Sequence, residues 1–142
     1  MAPLGTGAVQ FNNASGQLTV DTITDPNGDP ATVLDVDLGF KISGKVTLPN
    51  WLAGDGSVCL YAAEAGGSVN KQIKCTSFTA QAKPPGEPAT TDYPWDISVG
   101  TGDFPDPQPD SSQVYNLVVV FVFENQLTDI GAFVDLGKYM IN

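Results

Sequence analysis

The 142-residue chain is predicted to be all-β: an antiparallel two-sheet β-sandwich, immunoglobulin-like or jelly-roll-like, with about seven to nine strands and essentially no helix. Three observations predict it. Apolar residues recur at period two in several segments, and no window carries a sustained 3.6-residue stripe. Thirteen of the sixteen acids are aspartate, which favours caps and turns, and only three are glutamate, which favours helices. Most of the fifteen glycines fall between the alternating runs, and seven of the eleven prolines fall in two segments, 83–94 and 100–112. A mass of 14.9 kDa suits a single domain over residues 1–142. A chain of this size can bury about two-thirds of its extended surface without metals or multiple disulfides.

Taken in order, the strand candidates begin with Ala8–Asn12 and Gln17–Thr24, followed by the turn Asp25-Pro26-Asn27-Gly28-Asp29-Pro30. From Val33 to Leu48 one face reads Leu34, Val36, Leu38, Phe40, Ile42, Gly44, Val46, Leu48, and the other holds Asp35, Asp37, Lys41 and Lys45. Sixteen residues would span roughly 53 Å, too long for one ordinary strand. The run is therefore expected to bend at Gly39 or Gly44 and pass from one sheet to the other. Ser57–Glu64 and Val69–Ala80 form a hairpin, then come Trp95–Val99, Val114–Glu124 and Ala132–Ile141. Lys83–Pro94 and Gly100–Ser112 are expected to be long loops, because proline resists strand pairing.

The composition excludes several chemistries. The chain has no histidine, and its six basic residues are all lysine. Catalytic triads with histidine, imidazole metal ligands and arginine phosphate forks are therefore absent. A net charge of −10 opposes binding to nucleic acid and to anionic lipid. The most apolar stretch, Leu117 to Phe123, is too short to cross a bilayer as a helix, so no membrane insertion is expected. The N-terminus lacks a basic start and an apolar run, so it does not read as a signal peptide. Synthesis in the cytoplasm is expected, with release or export as part of an assembly left open.

Cys59 and Cys75 lie on the hairpin. A two-residue Gly66-Gly67 turn pairs Val58 with Cys75 and Leu60 with Ile73, placing the cysteines on opposite faces. A three-residue Gly66-Gly67-Ser68 turn sets Cys59 across from Cys75 and permits a disulfide. The first register has the better apolar match, and intracellular thiols are usually reduced, so free packed thiols are the expectation.

The candidate sites compete with plainer readings. Asp25, Asn27 and Asp29 resemble the front of a calcium loop, yet Val36 stands where an EF-hand needs its twelfth-position acid. The same residues are the ordinary vocabulary of turns. Calcium is the only cofactor these residues suggest. Asp35 and Asp37 would project about 7 Å apart, a glycosidase-like spacing that strand alternation also produces by default. Among the aromatics, Trp95 and Tyr115 alternate with core residues, which leaves Trp51 as the candidate ligand-contacting aromatic.

Val114–Glu124 is apolar on both faces. Tyr115, Leu117, Val119, Phe121 and Phe123 occupy one, and Val118, Val120 and Val122 the other. A sandwich strand normally wets one face, so the second must be covered by a proline-rich loop or by another subunit. The functional expectation is a non-enzymatic structural or interaction module, a building block of a homo-oligomer or of a fibre, decoration or tail-like particle. Its partners would be itself or other protein subunits. The alternative is a small binding module for carbohydrate or calcium.

Overall fold

Phe40, Ile42, Val46 and Leu48 alternate with Lys41, Ser43, Lys45 and Thr47, and in the computed structural model the first set is buried while the second faces outward. That pattern recurs along the chain. The structure describes residues 4–11, 14–25, 27, 33–34, 39–64, 71–84, 89–100, 113–124 and 129–141. The strands are β1 (Gly5–Phe11), β2 (Ala14–Thr24), β3 (Val33–Leu34), β4 (Phe40–Pro49), β5 (Gly54–Glu64), β6 (Lys71–Ala80), β7 (Thr90–Val99), β8 (Gln113–Glu124) and β9 (Asp129–Ile141). None of the described residues is helical.

The strands form a sandwich. One sheet has the order β1-β2-β4-β7 and the other β3-β9-β8-β5-β6. All described pairings are antiparallel except that of the two-residue β3, which runs parallel to β9. The long alternating run divides at Gly39, whose φ of 85° is a conformation that glycine adopts readily. Val33–Leu34 lies in one sheet and Phe40–Pro49 in the other, so the chain does change sheets there. Leu18, Ile42, Leu48, Ile97 and Trp95 from the first sheet meet Val58, Leu60, Leu117, Val119 and Phe121 from the second in one core.

An aromatic column closes one side. Phe78 of β6 stacks on Tyr93 of β7 with ring centroids 5.2 Å apart and on Phe121 of β8 at 5.9 Å. Phe123 tilts against Phe121 at 6.2 Å. These contacts tie the edges of the two sheets together, at the offset geometry that aromatic pairs favour.

Two expectations are corrected. The segment Thr90–Pro94, expected as loop, is the first half of β7, with Pro94 opposite Lys45. β7 is an edge strand, where a residue without an N–H can be accommodated. Cys59 and Cys75 are not free thiols but a disulfide, with Cα atoms 4.1 Å apart. Both hairpin registers occur: Cys59 pairs with Cys75 and Leu60 with Lys74, then a bulge shifts the ladder so that Tyr61 pairs with Gln72. The bulge is required because Ile73 and the pair Phe78 and Ala80 all belong inside although their positions differ in parity. One extra residue reconciles them.

Candidate functional site

The outer face of the five-stranded sheet is built from side chains that alternate with the core. In β8 the residues Tyr115, Leu117, Val119, Phe121 and Phe123 are buried, as their spacing predicts. Val118, Val120 and Val122 therefore point the other way, because successive strand residues face opposite sides. The ladder sets them in rows. Cys75, Cys59, Val120 and Phe133 stand side by side across β6, β5, β8 and β9. On one side run Gln72, Tyr61, Val118 and Asp135; on the other run Ser77, Ser57, Val122 and Gly131.

An apolar centre with a polar rim results. Phe133 is 67% exposed and Val122 44%, while Val118 and Val120 are half-buried by their neighbours. The Tyr61 hydroxyl donates to Gln72 Oε1 at 3.1 Å, and Asn116 Nδ2 donates to Asp135 Oδ1 at 3.1 Å. The same Asp135 oxygen accepts from the Gly137 backbone N–H at 2.8 Å, across the bulge that β9 makes beside Leu117. The rim side chains are thus held in place by their own bonds.

The opposite outer face, on the four-stranded sheet, has a different chemistry. Lys41 pairs with Asp96 at 3.5 Å and Lys45 with Asp92 at 3.7 Å. Thr47 donates to Asp92 Oδ1 at 2.6 Å, and Thr22 and Ser43 share a hydrogen bond of 2.7 Å. Each exposed ion pair adds little stability. Together they make a wettable surface, so one outer face is ion-paired and the other carries an apolar centre within a polar rim.

The other candidates lie elsewhere. Trp51 is 60% exposed on the turn after β4. That turn is pinned through Asn50, whose N–H donates to the Ala89 carbonyl at 3.0 Å and whose own carbonyl accepts from the Lys83 N–H at 2.7 Å. Thr91 Oγ1 donates to Asn50 Oδ1 at 2.5 Å. Asp25 follows β2 at the opposite end of the β4 ladder, where Thr24 pairs with Lys41. Its carboxylate accepts the Asn27 backbone N–H at 2.9 Å, which is the bond of an Asx turn. Asp29, Asp35 and Asp37 fall outside the described residues. Among the described residues no group of three or more Cys, Asp or Glu side chains could hold a metal ion. No helix among them is long and apolar enough to cross a membrane.

No protein-family model matches the chain, and no curated protein is similar to it.

Phe133 is the patch residue that the sequence reading missed. Its signal was present: it shares parity with Asp135, while Ala132 and Val134 carry the buried phase of β9. The cross-strand match with Val120 became visible only with the register.

Proposed function

We propose that the protein is a non-enzymatic structural and interaction module, joined to further copies of itself or to other subunits through the outer face of the five-stranded sheet. The observation that supports this most is the outward-facing row of half-buried Cys59 and Val120 with exposed Phe133, flanked by Val118 and Val122 and rimmed by bonded polar groups. An apolar centre with a polar rim is the usual anatomy of a protein interface. The contrast with the ion-paired face supports the same reading, since among the described residues the row of Val118, Val120, Val122 and Phe133 loses water at less cost than the Lys–Asp pairs.

Burying such side chains contributes at most about 1.5–3 kcal/mol each. Association costs about 4–15 kcal/mol, so the rim must take part. The cross-strand disulfide stiffens the face and suits a protein that works in an oxidising compartment. Sedimentation over a micromolar dilution series tests the proposal: mass that rises with concentration agrees with it. A strict monomer up to about 100 μM would oppose self-association.

A further inference from the structure

The Cys59–Cys75 disulfide lies on the outer face of the five-stranded sheet and supplies half of the row that continues to Val120 and Phe133. Val58, Leu60 and Ile73 beside it are buried, whereas Cys59 is half-buried and Cys75 exposed. β6 ends the sheet, so among the described residues no strand lies beyond Cys75. The bond is thus open to reagents in the folded chain. Its two sulfurs are not equally open. Thiol–disulfide exchange depends on access to the attacked sulfur, from the side opposite the sulfur that leaves. For Cys59 that line runs back over the sheet toward Val120, its neighbour in the row. For Cys75 it runs off the sheet edge into solvent. Exchange therefore begins at Cys75.

A dithiol supplies the two electrons and two protons. One thiolate attacks Cys75 Sγ, the Sγ–Sγ bond breaks, and Cys59 leaves as a thiolate that takes up a proton. The second thiolate attacks the reductant's own sulfur in the mixed disulfide. Cys75 then leaves and is protonated, and the reductant departs as a cyclic disulfide. The fold survives this step, because Ile73, Phe78 and Ala80 hold β6 from inside. The outer row does not stay the same. Bonded sulfurs lie about 2.05 Å apart, whereas two thiols must separate to nonbonded contact at roughly 3.5 Å or more. Cys59 stands between Cys75 and Val120, so the separation crowds Val120 or swings Cys75 outward. Gln72, which Tyr61 holds at the rim, loses its nearby covalent anchor. A loosened face must be reordered each time it docks, and that ordering costs affinity. We propose that Cys59–Cys75 is a redox switch on the assembly face, whose reduction through Cys75 weakens association while the sandwich stays folded. The switch rests on the reading of that face as the site of self-association.

The test uses the full chain in native buffer. Brief treatment with glutathione, acid quenching and peptide mapping locate the mixed disulfide, which is expected on Cys75. Reduction by dithiothreitol is followed by mass after alkylation, in urea concentrations below the unfolding transition. The rate is expected to be first order in dithiothreitol and insensitive to urea, since no global opening is required. Sedimentation, with circular dichroism as the control for folding, then compares the oxidised chain, the reduced chain and the paired substitution Cys59→Ala with Cys75→Ala. Both forms lacking the bond are expected to stay folded and to associate at least about tenfold more weakly. An adduct on Cys59, a reduction rate that climbs with urea as global unfolding does, a reduced chain that unfolds, or equal association of the oxidised and reduced chains would overturn the switch alone. An oxidised chain that stays monomeric up to about 100 μM would overturn the assembly reading, and the switch with it.

Discussion

Cys59 and Cys75 face each other directly across the β5–β6 ladder and are joined by a disulfide, one step before the bulge that brings Ile73 into the core. The bond closes a loop of sequence separation 16 and ties edge strand β6 to β5. Phe78 and Ala80 hold the same register from inside, by packing against the core.

Reduction, or the paired substitution Cys59→Ala with Cys75→Ala, should therefore lower stability without altering the fold. A loop of this length corresponds to about 2–4 kcal/mol. Urea denaturation with and without reductant measures it. A loss under about 1 kcal/mol would mean that side-chain packing alone fixes the hairpin.

Phe121 is fully buried between Phe78 and Phe123, whereas its neighbour Val122 is 44% exposed. Phe121→Ala should cost about 3–5 kcal/mol, and Val122→Ala under about 1 kcal/mol in the monomeric form. Equal costs in a denaturant titration would contradict the assignment of inner and outer faces, since a one-residue slip exchanges them.

Much of this was legible beforehand because period-two alternation reports which side of a strand meets the core. The inward set of β8 and the burial of Trp95 follow from that rule, while the change of sheet followed from the length of the run, which left Gly39 and Gly44 open and divides at Gly39. The failures have two causes. Alternation assumes one register per strand, so the bulges at Ile73 and Leu136 escaped it, and with them the disulfide. Pro94 was misread because its cost depends on whether a strand is central or at an edge, which no local pattern states. The patch was half legible: Val118, Val120 and Val122 stood out by themselves, but Phe133 joined them only through the pairing of β8 with β9.

Tyr139 of β9 packs against the edge of the core, and burial raises its phenol above the ordinary value of 10.0. The folded chain holds the proton more tightly than the unfolded one. Its contribution is thus complete below about pH 10 and is lost as pH rises through the higher folded value. Denaturation midpoints measured from pH 8 to 11 should fall more steeply for the wild type than for Tyr139→Phe. Parallel curves would show that the phenol is not held neutral by its surroundings.

The apolar face of the five-stranded sheet is tested most directly by native mass spectrometry of the wild type and Phe133→Asp at about 10 μM, with circular dichroism on both. Phe133 is the more exposed of the two exposed large hydrophobic residues on the face, Val122 being the other, so the substitution removes an interface contact with little demand on the core. The expected result is an oligomeric wild type and a folded, monomeric Phe133→Asp. A wild type that stays monomeric when raised to about 100 μM, or an oligomer that Phe133→Asp leaves intact, would contradict self-assembly through this face.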